Sequence, residues 1–201
     1  MKIGLVLECG KDGPDQKVLE PLVKKLAPRP NEVTSRTLNN KPRLLSGCGA
    51  VASQLLKDQY DRVLVIWDLW PAWATDAPCR KEHRDEAMES LTEAGVDLRK
   101  VRLLCIEQML ESWLLADPRA LERLVTKWMQ PRRPRNFRVG PEAVFDTKPK
   151  GLLTRLFREH GCRPYYDLNH AHQIAAQWDE QSLRRLADLP TFQRFMKCLL
   201  R

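Results

Sequence analysis

Three apolar runs that end in an acidic residue constrain the fold of this chain more than any other feature. The first run is Lys2-Ile-Gly-Leu-Val-Leu, followed by Glu8; the second extends from Arg62 to Asp68; the third extends from Val101 to Ile106 and is followed by Glu107. None alternates between apolar and polar residues, which is typical of strands that are covered on both faces of a parallel sheet. Because ligands bind at the carboxyl ends of such strands, the three acids are candidates for one site.

Helical patterns separate these strands. Apolar residues at helical spacing predict helices over residues 15–26, from 44 or 46 to 58, over 80–94 and over 107–117, and the more polar run 32–38 is predicted to be a strand near the sheet edge. The alternation of strands and helices predicts an α/β fold with a mostly parallel central sheet flanked by helices. We expect an α/β core over residues 1–125, a basic irregular segment over 126–150 and a helical C-terminal part, packed on the core, over 151–201.

Composition restricts the class of protein. The 201 residues are 43% apolar, which suffices for a sizeable core, and no apolar run approaches the ~18 residues of a membrane helix. The first residues lack the basic and apolar regions of a signal peptide, so we expect a cytoplasmic protein. The six cysteines include no C-x-x-C pair, and we interpret them as reduced thiols, most of them in the core.

The charge of the chain favours a polyanionic partner without identifying one. Its net charge is +8, with 34 Lys and Arg against 26 Asp and Glu. Cations concentrate between Lys127 and Arg138, in a proline-containing segment that we expect to be extended and exposed. A solvated linker would have a similar composition, whereas a nucleic-acid site would use these cations to contact phosphates. The candidate contacts are Arg132, Arg133, Arg135 and Arg138.

The acidic residues predict an oxygen-ligand site for Mg²⁺ or Mn²⁺. These ions prefer carboxylates and water, and two of them can stabilise both the attacking and the leaving oxygen in phosphodiester cleavage. A single acid at a strand end is an ordinary loop residue, but three at one sheet edge are harder to explain in that way because clustered anions repel each other. The candidate ligands are Glu8, Asp15, Asp68, Glu107 and Glu111.

Two of these candidates have further structural interpretations. Asp15 has the side chain of a helix N-cap and could act only in that way. Glu111 follows Glu107 by four residues, which would put both on one face of a helix, one turn apart.

Other kinds of site find little support in the sequence. Cys79 and His83 are four residues apart, and His170 and His172 are two apart, but no spacing indicates that four zinc ligands converge. The chain has no Walker loop, no G-x-G-x-x-G after the first strand and no G-x-S-x-G, so neither a nucleotide cradle nor a hydrolase triad is indicated.

Several of these motifs resemble a known group of proteins. Glu8-Cys-Gly10, Asp68, the segment Ile106-Glu-Gln-Met-Leu-Glu-Ser-Trp-Leu-Leu-Ala-Asp117 and the segment Leu189-Pro-Thr-Phe-Gln-Arg-Phe195 resemble Toprim-like proteins of the DUF4276 type. These proteins are related in fold to the Toprim nuclease domains of the overcoming-lysogenization-defect family. The resemblance implies a Toprim-like or Rossmann-like fold, metal-dependent strand cleavage and a phage-defence or mobile-element setting, with Glu8 and Asp68 as metal ligands.

The chain departs from the Toprim pattern at one acid. A Toprim domain carries D-x-D after a later strand, but Trp70 stands two residues after Asp68. By resemblance, Glu107 and Glu111 would then fill the second metal position. The acid that follows the first Glu in the family would be Asp12 or Asp15.

The resemblance also implies a downstream lysine that neutralises the transition-state phosphate, and Lys148 or Lys150 matches it. The preferred hypothesis is a nuclease with Glu8, Asp68 and Lys150 as catalytic residues. One rival is a non-catalytic protein whose Trp70–Trp73 loop docks a companion ATPase. Another is a regulator that binds a nucleotide or a small phosphate.

Overall fold

The computed structural model describes residues 1–72, 77–129 and 137–200. These residues contain a four-stranded sheet built from β1 (Lys2–Leu7), β2 (Glu32–Thr37), β3 (Arg62–Asp68) and β4 (Val101–Ile106). The strand order is β2-β1-β3-β4, and each neighbouring pair is parallel. The expectation of an α/β fold with a mostly parallel central sheet is confirmed.

Helices connect these strands: α1 (Pro14–Leu26) joins β1 to β2, α2 (Lys41–Lys57) joins β2 to β3, and α3 (Arg80–Glu93) lies between β3 and β4. Crossovers between parallel strands are right-handed, and the first two run in opposite directions along the sheet. Therefore α1 and α2 cover opposite faces. α3 packs beside α2 on its face, around a core that includes Val65 and Trp67.

The start of α2 differs from the sequence prediction. The apolar spacing predicts a start at Leu44 or Ser46, but the helix begins at Lys41. Asn40 caps it, because its side-chain oxygen accepts a hydrogen bond from the Arg43 main-chain N–H at 3.0 Å. Lys41 precedes the predicted start of the helix and instead lies in the first turn of a helix that starts at the carboxyl edge of the sheet.

α2 and α3 approach each other closely at Gly49. A Cβ atom at this position would lie 1.9 Å from the carbonyl oxygen of Ser90. The Gly49 N–H donates to Ser90 Oγ at 3.1 Å, and that hydroxyl donates to the carbonyl oxygen of Ser46 at 2.8 Å. These contacts hold α3 against α2, and α3 carries His83 and Arg84 at its beginning.

The described chain forms two compact units. The first comprises Met1–Glu107 and Arg194–Arg201 and contains the sheet; the second comprises Gln108–Gln193. This partition follows contacts, and it differs from the sequence-based division at residues 125 and 150, which follows composition.

Helices make up most of the second unit. They are α4 (Leu110–Leu115), α5 (Pro118–Met129), a 3₁₀ helix (Pro141–Phe145), α6 (Pro149–Glu159), α7 (Asp167–Ala175), α8 (Glu180–Leu186) and the first residues of α9 (Pro190–Leu200). Trp113 lies in the core of this unit, where its Nε1–H donates to Thr191 Oγ1 at 2.9 Å. In the part of the chain that the structure describes, no helix has the length and apolar character to cross a membrane.

α4 is shorter than the predicted helix over residues 107–117. It begins at Leu110, and the preceding Met109 is extended, with φ −145° and ψ 164°. Glu107 therefore lies outside the helix that contains Glu111. The prediction that these two acids share a helical face is wrong, because the chain leaves β4 through an extended residue before it turns.

The six cysteines are free thiols, as expected. Cys48 and Cys105 are buried, whereas the other four are partly exposed. Fewer of them lie in the core than the sequence predicts.

Candidate functional site

The strand order creates a switch point between β1 and β3. From β1 the chain crosses to β2 on one side, whereas β3 pairs with the other side of β1. The connections that leave the two strands therefore run to opposite faces of the sheet and open a crevice at the carboxyl ends, which is where open parallel sheets bind ligands. Glu8 directly follows β1 and Asp68 ends β3, so both stand at this crevice.

Glu8 and Asp68 are neighbours there. Oε1 of Glu8 accepts a hydrogen bond from the main-chain N–H of Asp68 at 3.1 Å. Asp68 is 7% exposed and Glu8 is half-buried. Both acids act on the charge of the same lysine, and two negative charges in one crevice repel each other unless a cation is near.

Lys41 places a positive charge next to these acids. The residue is 6% exposed, and its Nζ donates to the carbonyl oxygens of Leu69 and Pro71, at 2.8 Å in each case. Burial lowers the pKa of Lys41, and the negative charges of Glu8 and Asp68 act in the opposite direction. Sequence reasoning missed this residue. A signal was present, because a cation in the first turn of a helix opposes the helix dipole and so suggests a role outside the helix.

Cys105 and His83 belong to the same surroundings and are buried. Burial, and then the charge of Asp68, raise the pKa of Cys105 to about 12. Burial, and then the charge of Lys41, lower the pKa of His83. Its Nδ1 is buried and has no hydrogen-bond partner among the described residues. Both groups are therefore uncharged at neutral pH.

Asp15 lies in the first turn of α1, close to the residue that follows Glu8. Gly13 occupies the N-cap position of this helix, so the interpretation of Asp15 as the cap is wrong. Burial, and then the carboxylate of Asp15, raise the pKa of Cys9 to about 12, and Glu8 adds to this shift. Asp15 and Glu8 thus flank the same thiol, whereas Asp12, the alternative acid, is exposed.

Glu107 is engaged by two arginines. Its Oε1 accepts hydrogen bonds from Arg80 Nη1 at 2.8 Å and from Arg194 Nη2 at 2.7 Å. A pocket of about 310 Å³ lies here, and its lining includes both arginines. The structure thus gives this carboxylate cationic partners from the protein itself, and its role as a metal ligand stays a prediction.

Glu111 and Lys150 lie in the second unit, where the structure brings them together. Lys150 Nζ is 3.7 Å from Glu111 Oε1 and 2.6 Å from Asp167 Oδ2, and the Tyr165 hydroxyl donates to Glu111 at 3.1 Å. Burial raises the pKa of Glu111, against the effect of the Lys150 charge. The predicted roles of both residues stay hypotheses.

Part of the predicted nucleic-acid contact and of the predicted docking loop falls outside the described residues, namely Arg132, Arg133, Arg135 and Trp73. Arg138 is described and exposed. Within residues 1–72, 77–129 and 137–200, no three His, Cys, Asp or Glu side chains are grouped as a metal site.

Comparison with known proteins identifies the family of the chain. A family model described as a domain of unknown function, DUF4276, matches residues 13–200. Asp68 and Lys41 lie inside the matched range, and Glu8 lies just before it. No curated protein and no solved structure matches the chain.

Proposed function

The chain belongs to the DUF4276 family, and we propose that it hydrolyses phosphodiester bonds in nucleic acid with the help of Mg²⁺ or Mn²⁺. The observation that carries the proposal is the pair of acids at the switch point of the sheet, where the Glu8 carboxylate accepts a hydrogen bond from the Asp68 main chain. The net charge of +8 supports a polyanionic substrate. The resemblance to Toprim nucleases supports the reaction class and a phage-defence or mobile-element setting.

The two carboxylates suit a hard divalent cation. Mg²⁺ is usually held by one or two carboxylates, while water and substrate phosphates complete its shell. The hydrogen bond from the Asp68 main chain fixes the Glu8 carboxylate at the end of β3, and Asp15 lies near Cys9, the residue that follows Glu8. A bound divalent cation would neutralise charge on the phosphodiester and lower the pKa of a water nucleophile.

Lys41 supports the same chemistry from within the first unit. Its ammonium group is held between the main chain of the β3 loop and the charges of Glu8 and Asp68. There it would attract the phosphate of a substrate and limit the repulsion between the acids and that phosphate. In the proposed enzyme, Lys150 keeps the phosphate-neutralising role implied by the resemblance, and Arg132, Arg133, Arg135 and Arg138 contact the nucleic-acid backbone.

A nuclease assay tests the proposal directly. Single-stranded and double-stranded DNA and RNA are incubated with the protein in Mg²⁺, Mn²⁺ or EDTA. We expect metal-dependent cleavage and a loss of about 100-fold or more in Glu8→Gln and in Asp68→Asn, the order seen when a group that stabilises the transition state is removed. Glu93→Gln, an exposed acid of α3, is the matched control. Cleavage by Glu8→Gln at the rate of this control would remove Glu8 from the mechanism.

A non-catalytic role is the alternative, and Trp70 is the observation that favours it. This residue stands where the Toprim pattern has a second acid, and it is half-buried. Mg²⁺ and Mn²⁺ titration by calorimetry separates the two roles. No cation binding and no cleavage of any substrate would refute the nuclease proposal and favour a docking function for the tryptophan loop, which co-purification with a companion ATPase would then test.

A further inference from the structure

Three arginines line the pocket beside the edge strand β4. Arg80 and Arg84 come from the first turns of α3, and Arg194 comes from α9. All three belong to the first unit. The rest of the lining is mostly apolar and consists of Trp67, Leu103, Leu104 and Cys105.

Glu107 holds two of these arginines in place. Arg80 and Arg194 reach it from different helices and donate to the same oxygen, Oε1, at 2.8 and 2.7 Å. A guanidinium group has five N–H donors, so each arginine retains several beyond the one given to Glu107. Three guanidinium groups and one carboxylate leave the pocket with an excess of positive charge.

The chemistry of the pocket fits a phosphate group. The planar fork of a guanidinium matches the oxygens of a phosphate, and the three arginines carry more positive charge than Glu107 neutralises. The volume of about 310 Å³ is at the lower end of ligand sites and larger than a phosphate alone needs. A phosphate with its attached sugar would use the apolar side of the pocket as well.

The pocket adjoins the crevice that contains the two acids. Cys105 lines the pocket, and its thiol is under the influence of Asp68 and Lys41 as well as of Arg80 and Glu107. A nucleic-acid strand bound at the crevice would therefore have a neighbouring phosphate within reach of the arginines.

We propose that this pocket binds a backbone phosphate of the nucleic-acid substrate through Arg80, Arg84 and Arg194, and that Glu107 is a positioning residue for two of these arginines. The identity of the ligand rests on the proposed function. The pocket itself rests on the arginine geometry.

Binding without cleavage provides the test. A fluorescent single-stranded oligonucleotide is titrated with the full chain in EDTA, and the dissociation constant is measured by anisotropy over a range of KCl concentrations. We expect the double variant Arg80→Ala/Arg84→Ala to bind about tenfold or more weakly and to show a salt slope lower by about one to two units. The matched control is Arg99→Ala, because Arg99 is 91% exposed beside Asp97. A double variant that binds like this control would overturn the proposal.

Glu107→Gln tests the charge argument without a metal present. The amide oxygen can still accept from both arginines, while one negative charge is lost from the pocket. We expect tighter oligonucleotide binding in EDTA, by about threefold or more. Weaker binding would contradict the charge argument. Circular dichroism checks that each variant is folded. If the alanine double variant does not fold, Arg80→Lys/Arg84→Lys replaces it, because lysine keeps the positive charge but lacks the planar guanidinium fork. We expect this lysine variant also to bind the oligonucleotide more weakly than Arg99→Ala.

Competition with inorganic phosphate identifies the source of the ligand. If the double variant weakens phosphate binding but leaves oligonucleotide binding unchanged, the pocket takes a free phosphate and the assignment to nucleic acid is wrong. If the pocket binds the oligonucleotide but the protein cleaves no substrate, the proposed nuclease activity fails and this inference stands. If the double variant cleaves at the wild-type rate and binds the oligonucleotide like Arg99→Ala, this inference is refuted while the proposed nuclease activity stands.

Discussion

Gly49→Ala should destabilise the protein, because a methyl group has no room between α2 and α3. The added Cβ would lie 1.9 Å from the carbonyl oxygen of Ser90 and 2.5 Å from its carbonyl carbon. Ordinary contacts between such atoms are about 3.5 Å. Both atoms belong to the main chain, so the clash cannot be relieved by rotation of a side chain and the helices must separate.

The size of the effect follows from three contributions. Overpacking costs about 1–3 kcal/mol. Separation of the helices also weakens the hydrogen bonds from Gly49 to Ser90 and from Ser90 to Ser46, each worth about 1 kcal/mol. Alanine gains about 1 kcal/mol over glycine in helix propensity, which offsets part of the loss. The expected net loss is about 2–4 kcal/mol, and the expected fall in Tm is about 5–15 °C for a chain of this size.

Gly47→Ala is the matched control in the same helix. Its added Cβ would meet Leu38 Cδ1 at 3.9 Å, an ordinary contact, so only the propensity gain should remain. Urea denaturation and thermal melting, followed by circular dichroism, measure both variants. If Gly49→Ala is as stable as Gly47→Ala, the close approach of α2 and α3 is wrong, and the placement of Arg80 and Arg84 that depends on it loses its support.

Three further substitutions test buried charges. Asp117→Ala should lower the free energy of unfolding by about 3 kcal/mol in urea denaturation, because this fully buried carboxylate lies 2.8 Å from Arg185 and its loss leaves that cation uncompensated. An equal loss in Asp188→Ala, which removes an exposed carboxylate, would contradict this reason. Burial raises the pKa of Glu111 above 4.5, so its contribution to stability is present at low pH and is lost as the pH rises through the raised pKa. Glu111→Gln should abolish this decline in Tm with pH. If Tm depends on pH in the same way in Glu111→Gln and in the wild type, this reasoning is refuted. Burial lowers the pKa of His83 below 6.5, so its contribution to stability is present above pH 6.5 and is lost as the pH falls through the lowered pKa. In thermal melts, the Tm of the wild type should therefore fall relative to that of His83→Gln as the pH drops below 6.5. An NMR titration in which the imidazole has an unshifted pKa would show the idea to be wrong.

The fold was largely predictable because three of its strands are mostly buried. β1, β3 and β4 match the three apolar runs. β1 and β3 are central strands, which need apolar residues at successive positions because both of their faces are covered. The start of α2 and the length of α4 were not predictable from apolar spacing. A cap by Asn40 sets the first and the extended Met109 sets the second, and neither leaves a periodic signal.

The sequence alone determined that acids would stand at the ends of strands in one α/β sheet, because the apolar runs end where the chain leaves the core. Only the tertiary structure decided which charges meet, because partners are set by strand order and by residues far apart in the chain. Glu8 meets the main chain of Asp68 across 60 positions, and Glu107 meets Arg80 and Arg194 across 27 and 87 positions. Lys41 reaches the loop after Asp68 across 28 positions. No local pattern encodes these distances, so the sequence could predict the acids but not the cations that surround them.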